Sequence, residues 1–193
     1  CSRKYPNMKE IEKYTGVLDP LNFKAIRNDL KSKGLLHKAD DYFNASGKVA
    51  ALLYKEEIER AMKTPGISGF QLLDLHDFPG QGTALVGLLD AFWDNKGFTT
   101  PEAFRQACSE LVPLVRFPKA VYENNETFIA KTEVANYSSK TYNNATLKWT
   151  FTNSKKELIN AGLISNTNII HGYNEHIASI EIPLQKIDYA DKF

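Results

Sequence analysis

The sequence predicts an α/β first half followed by an all-β second half, divided into residues 1–111 and residues 112–193. Three observations carry this. An apolar run, Gly69 to Leu75, reads as a buried strand and ends in a polar cluster and two turn glycines, Gly80 and Gly82. Helical patterns surround that run on both sides. Beyond the junction the chain changes texture, becoming rich in Thr, Val, Ile, Tyr and Asn with period-two alternation. A strand buried on both faces belongs to a sheet covered by helices, and ligands of such sheets sit at the carboxyl ends of the strands. A polar small-molecule site is therefore expected at the end of this run, with a sugar as the natural candidate.

In the first half, Asp19-Pro20 reads as a helix start: Asp caps the free amides and Pro takes the first helical position. Leu21, Phe23, Ile26 and Leu30 follow, and the helix is expected to stop near Gly34. A second helix is expected from about Ser46 to Lys63, with Ala50, Tyr54, Ile58 and Ala61 on one face. Pro65-Gly66 ends it, and the strand at about 68–75 comes next. Ala84 to Leu89 is expected to form a buried turn or short helix. Thr100-Pro101-Glu102 opens a third helix by the same capping logic, with Phe104 and Cys108 pointing inward.

The junction from Val112 to Pro118 carries two prolines and reads as a linker or a first edge strand. Strands are expected near 119–122, 127–135, 145–152, 157–160, 166–171 and 176–183, with Leu147, Trp149 and Phe151 on one face of theirs. Five or six short strands separated by turns suggest an immunoglobulin-like sandwich.

Composition narrows the function classes. The chain has 193 residues, is 42% hydrophobic and 24% charged, and carries a net charge of +1. That balance is unlike the strongly basic one of a nucleic-acid binder. No apolar run is long enough to span a membrane. Cys1 and Cys108 make neither a disulfide framework nor a zinc spacing. Gly80-Gln81-Gly82 lacks the Lys-Ser/Thr of a phosphate loop, so no cofactor or metal is expected. Cys1-Ser2 reads as the start of a stretch taken from a longer chain rather than as a lipoprotein anchor. The four Asn-x-Ser/Thr sequons at Asn44, Asn125, Asn136 and Asn144 matter only in a eukaryotic secretory host.

The candidate site residues are Asp77, His76, Gln81 and Asp74. On a regular strand Asp74 and His76 share one face, and Asp77 is the first residue of the loop. Asp77 reads equally as a sugar contact or as a carboxylate bracing its loop. Carboxylate pairs for glycoside hydrolysis flank the scissile bond and come from two strands, and only one strong strand is evident here. One strand flanked by helices closes neither a sheet nor a barrel, so the first half is either irregular or a piece of something larger. Trp93 is expected in the core, with stacking on a sugar ring as the alternative. His37, His171 and His176 are expected on the surface, Trp149 in the sandwich core, and Tyr5 and Tyr14 could share the pocket wall.

Gly69-Phe70, Asp77-Phe78 and Lys96-Gly97, together with the preceding helix Tyr54-Lys-Glu-Glu-Ile-Glu59, resemble bacterial glycoside hydrolase family 2 proteins of the β-galactosidase type. The resemblance implies the C-terminal fragment of a (β/α)8 barrel, with the run near position 70 as its eighth strand, followed by an immunoglobulin-like β-sandwich. It implies a carbohydrate substrate, a bacterial periplasmic or secreted location, and Asp77, His76, Gln81 and Asp74 as contacts on the rim of the site. The family's two catalytic glutamates would lie upstream of Cys1, and no residue here matches them. Leu73 stands where the wider family has Trp. An orphaned barrel piece would expose apolar patches, so a homo-oligomer or a missing N-terminal segment is also expected. The competing reading is a non-catalytic carbohydrate-binding or structural module, with Tyr137, Tyr142 and Tyr173 as stacking platforms near turns.

Overall fold

A computed structural model of the chain describes residues 5–73, 75–78 and 85–193. The chain divides into two compact units, 1–61 with 68–107, and 62–67 with 108–193. It mixes helices with antiparallel sheets, and its second unit is sandwich-like.

In the first unit, a 3-10 helix at Met8–Lys13 precedes α1 (Leu21–Ser32) and α2 (Ala39–Met62). α1 starts without a side-chain cap. Asp19 departs from the expected capping role and pairs with the Lys24 ammonium one turn on. α2 begins at Ala39, earlier than the expected Ser46, with Asp40 and Asp41 in its first turn where the helix dipole favours acids. Ala39, Phe43, Gly47, Ala50 and Ile58 lie buried at helical spacing. Ile11, Phe23 and Leu85 form a small core with Met8 packed against it. α3 is one short turn, Pro101–Arg105, and there the capping expectation holds: Thr100 Oγ1 accepts from the Ala103 amide at 3.2 Å.

The expected strand at 68–75 is not formed among the described residues. Only isolated bridges join this region, His76 to Leu89 in parallel and Leu89 to Asn95 antiparallel. Nor are its apolar side chains buried: Phe70, Leu75 and Phe78 are exposed, and Leu73 is 72% exposed. A strand needs neighbours to take up its amides and carbonyls, and along 69–73 no described segment lies alongside as a sheet partner. The described part of Ala84–Leu89 is likewise not helical.

The second unit contains β1 (Leu111–Arg116), β2 (Thr127–Asn136), β3 (Tyr142–Thr152), β4 (Leu158–Ile169) and β5 (Gly172–Pro183). β1, β2 and β5 form one antiparallel sheet in that order, and β3 pairs with β4 in another. β1 is therefore an edge, which is where Pro113 can be tolerated. No strand forms at 119–122, and the two strands expected at 157–160 and 166–171 are one continuous strand, β4. Asn166, left-handed at φ 58°, falls in an irregularity between the Leu147–Ile164 and Ala145–Thr167 pairs, and the pairing resumes beyond it, so the break expected there is a bulge within one strand.

Ile180, Ile182, Leu184 and Ile187 gather Tyr122, Phe128, Trp149 and Phe151 into one core, so side chains from both sheets meet. Trp149 lies across Gly162 on the paired strand. A Cβ there would stand 2.6 Å from the indole, which is why that position takes glycine. A bulge falls between Thr132 and Val134, and the Thr132 hydroxyl spans it by donating to the Ala178 carbonyl and accepting from the Ala178 amide, each at 3.0 Å. The sequon residue Asn136 is fully buried, its amide donating to the Lys140 carbonyl at 2.8 Å.

Candidate functional site

Residues 75–77 and 88–96 form a compact knot of backbone pairing. Leu88 and Leu89 donate to the Leu75 carbonyl at 2.9 and 3.1 Å, and the Asp77 amide donates to Leu89 at 3.1 Å. This holds the Asp77 side chain inward. Its Oδ1 accepts from the Gly87 amide at 2.9 Å and its Oδ2 from Lys96 Nζ at 2.5 Å. The Asp77 and Lys96 side chains are only 3% and 4% exposed. Two buried charges that close hold each other in place, because either alone would face several kcal/mol of uncompensated desolvation. Gly87 is required by close approach: a Cβ would stand 2.3 Å from the His76 carbonyl carbon and 2.5 Å from the Asp77 nitrogen.

A second ion pair flanks the first. Lys13 Nζ, at the end of the 3-10 helix, donates to Asp90 at 2.5 Å and to Asp94 at 2.6 Å. The other Asp90 oxygen accepts from the Phe92 and Asp94 amides at 2.8 and 2.9 Å, closing a tight turn. Burial works against the Asp90 carboxylate, but the Lys13 ammonium and the two amides outweigh it and hold its pKa below the usual value. The same bonds raise the Lys13 pKa.

Between the two pairs lies Glu10, 1% exposed, with Oε1 taking no hydrogen bond. Burial, then the charges of Asp77 and Asp90, push its pKa up to about 7, against the opposing pull of Lys96 and the Ala91 amide. Near neutrality this carboxyl can hold or release a proton, while Lys13 favours the charged form of the neighbouring Asp90. Burial and the same three acids raise the Tyr14 hydroxyl to about 12. A small cleft of about 50 Å³ opens here, lined by Tyr14, Asp19, Phe23, Asp77, Phe78 and Leu85. It has room for a few waters and is far smaller than the roughly 300–1,000 Å³ of a formed ligand pocket.

Of the four expected site residues, Asp77 lines this cleft and braces its loop, and His76 sits beside it. Asp74 and Gln81 lie outside the described residues. His76 Nδ1 is 2.6 Å from the Asp77 carbonyl oxygen, so Nδ1 carries the hydrogen. Trp93 departs from its expected core position: it is 62% exposed, and its ring centroid lies 4.4 Å from that of His76. Its backbone φ of 69° is left-handed, a conformation costing a bulky residue roughly 1–3 kcal/mol. Tyr14 borders the cleft, while Tyr5 packs against Tyr42. His37, His171 and His176 are exposed.

Glu10, Lys13 and Asp90 gave no signal as site residues in the sequence. They meet across about 80 positions of chain, and no local spacing links them. Among the described residues no three His, Cys, Asp or Glu side chains gather as a metal site would need, and no helix is long and apolar enough to cross a membrane.

Residues 126–193, from β2 to the chain end, match the model of a domain of unknown function, DUF8488. A comparison with curated proteins found no match.

Proposed function

We propose that this chain is the C-terminal part of an exo-acting, β-galactosidase-like glycoside hydrolase, supplying one wall of the substrate site and a supporting immunoglobulin-like sandwich. The observation that carries this is the 69–78 segment. It has no regular secondary structure and no sheet partners along 69–73, it displays Phe70, Leu73, Leu75 and Phe78 to solvent, and it ends in a braced carboxylate beside a cleft. A closing strand of a (β/α)8 barrel taken without its neighbours has these properties: lateral partners absent, apolar faces open, and a polar tip at the carboxyl end. On this reading the cleft is small because the described residues build one side of it. Asp77 positions the rim, and His76, Gln81 and Asp74 approach the sugar. The catalytic carboxylates come from elsewhere in the parent protein, which the resemblance places in the bacterial periplasm or outside the cell.

The test is hydrolysis of nitrophenyl glycosides. The chain by itself is expected to show no turnover, and the parent protein with its upstream sequence is expected to cleave a β-galactoside. Turnover by the chain alone would overturn the assignment as a part, and an inert parent would overturn the glycosidase reading.

A second reading, a carbohydrate-binding or structural module, draws on Tyr137, which is exposed and meets His171 edge-on at 6.1 Å. It is the weaker one, because Tyr142 and Tyr173 are half-buried and the Tyr173 hydroxyl accepts from Arg116 at 3.3 Å. Sugar binding that survives removal of unit 1 would favour it.

A further inference from the structure

We propose that Trp93, backed by His76, forms a stacking platform for a single hexopyranose ring, a role that rests on the carbohydrate reading above. The indole is large, apolar and well exposed, yet it is held in a strained backbone conformation. Such a conformation persists only where the surroundings impose it. Here the Asp90 turn does so: the Trp93 amide donates to the Asp90 carbonyl at 3.1 Å, the Asp90 amide donates to the Asp94 carbonyl at 2.9 Å, and the Asp90 carboxylate takes the amides on either side of Trp93. Lys13 clamps the turn from outside through Asp90 and Asp94. A turn so heavily braced presents its tip side chain in one orientation.

The neighbours of the platform fit a sugar better than an aliphatic surface. His76 lies against one face of the indole, its ring centroid 4.4 Å away and tilted by 38°, and so backs the ring. Because its Nδ1 hydrogen is committed to the Asp77 carbonyl, the neutral ring presents Nε2 as an acceptor. Asp94, the next residue, keeps most of its carboxylate in solvent. A pyranose has a face of C–H groups to lie on an aromatic ring and an equator of hydroxyls to reach acceptors, so it matches both properties at once. Phe92, by contrast, is already engaged by the edge of Tyr14 at 4.8 Å and by the Lys13 ammonium at 5.7 Å.

The experiment is saturation-transfer NMR on the whole chain with methyl β-galactopyranoside, methyl β-glucopyranoside and methyl α-mannopyranoside. Transfer to the ring C–H protons of at least one is expected. Trp93→Ala should weaken that binding about ten-fold or more, while Trp93→Phe, which keeps a ring, should stay within about three-fold of the wild type. Melting curves of both variants should match the parent, since the indole is exposed. Binding unchanged in Trp93→Ala, or transfer to none of the three sugars, overturns the platform. The hydrolysis assay reports separately: an active parent indifferent to Trp93 leaves the glycosidase reading standing without the platform, and Trp93-dependent binding in a protein whose parent is inert does the reverse.

Discussion

The second unit gathers a two-sheet apolar core and buries one acid, Glu133, whereas the first exposes a run of apolar side chains and buries several charges. In the sandwich, Trp149, Phe151 and Phe128 converge with Ile180 and Ile182 from two sheets, and exposed apolar residues such as Ile129 and Leu163 are scattered over it singly. In the first unit, Phe70, Leu73, Leu75 and Phe78 are exposed close together in the chain, while Glu10, Asp77, Asp90 and the Lys96 side chain are buried. One unit is held together by hydrophobic burial. The other adds to its apolar core of Ile11, Phe23 and Leu85 the buried Asp77–Lys96 pair and the Lys13–Asp90 pair.

The sharpest way to break that contrast is Lys96→Met. It takes the Lys96 ammonium away from the buried Asp77 carboxylate, which should destabilise the first unit by about 3–5 kcal/mol. Two-transition calorimetry should show the loss in one transition only. Adding Asp77→Leu should restore much of it, since removing both charges removes the desolvation burden.

Trp149→Ala is the counterpart in the sandwich. It opens a cavity over Gly162 and should cost about 3 kcal/mol in the other transition.

Glu10→Gln should act in the stabilising direction. The folded carboxyl has a pKa of about 7 against 4.5 for the ordinary group, so between those values the folded state holds a proton that the unfolded state has released. The wild type therefore loses stability as pH rises through that window. Above it the deficit reaches roughly 3 kcal/mol. Denaturation of Glu10→Gln at pH 5 and pH 8 should show a flatter profile, with its largest gain at pH 8.

Leu73→Ser should give the smallest effect. A side chain this exposed should shift stability by no more than about 0.5 kcal/mol, with self-association falling if the patch is sticky; light scattering reads the second.

The contrast also governs what the sequence could reveal. Alternation of Leu147, Trp149 and Phe151 against Lys148 and Thr150 made β3 legible, because a half-buried strand writes its environment into every second residue. Thr100-Pro101 was legible because a cap is local chemistry. The run at 69–75 reads as a strand because apolar residues follow one another along it, yet no strand forms there among the described residues, because a strand also needs a neighbour for its amides and carbonyls and hydropathy names none. Asp77 could be singled out by its place at the end of that run, but its partner Lys96 was visible only through a family resemblance. Glu10 and Lys13 were invisible as site residues: they act through contacts some 80 residues away, and charged residues at those spacings look like a solvated helix face. Large aromatics are usually buried, so nothing in the pattern around Trp93 marks it as exposed; the braced Asp90 turn holds it there.

The short stretch Met62–Ile67 belongs with the sandwich, although it lies far from it in sequence. Arg116, which grips the buried Glu133 at 2.6 Å, also donates to the Lys63 carbonyl at 3.0 Å, and the Tyr137 hydroxyl reaches the Ile67 carbonyl at 3.5 Å. The polypeptide thus passes between the two units three times, near positions 61, 67 and 107. Trimming the gene at residue 112 would strip a stitch from the sandwich and leave two donors facing water, and a protease nicking any single passage would release neither half from the other.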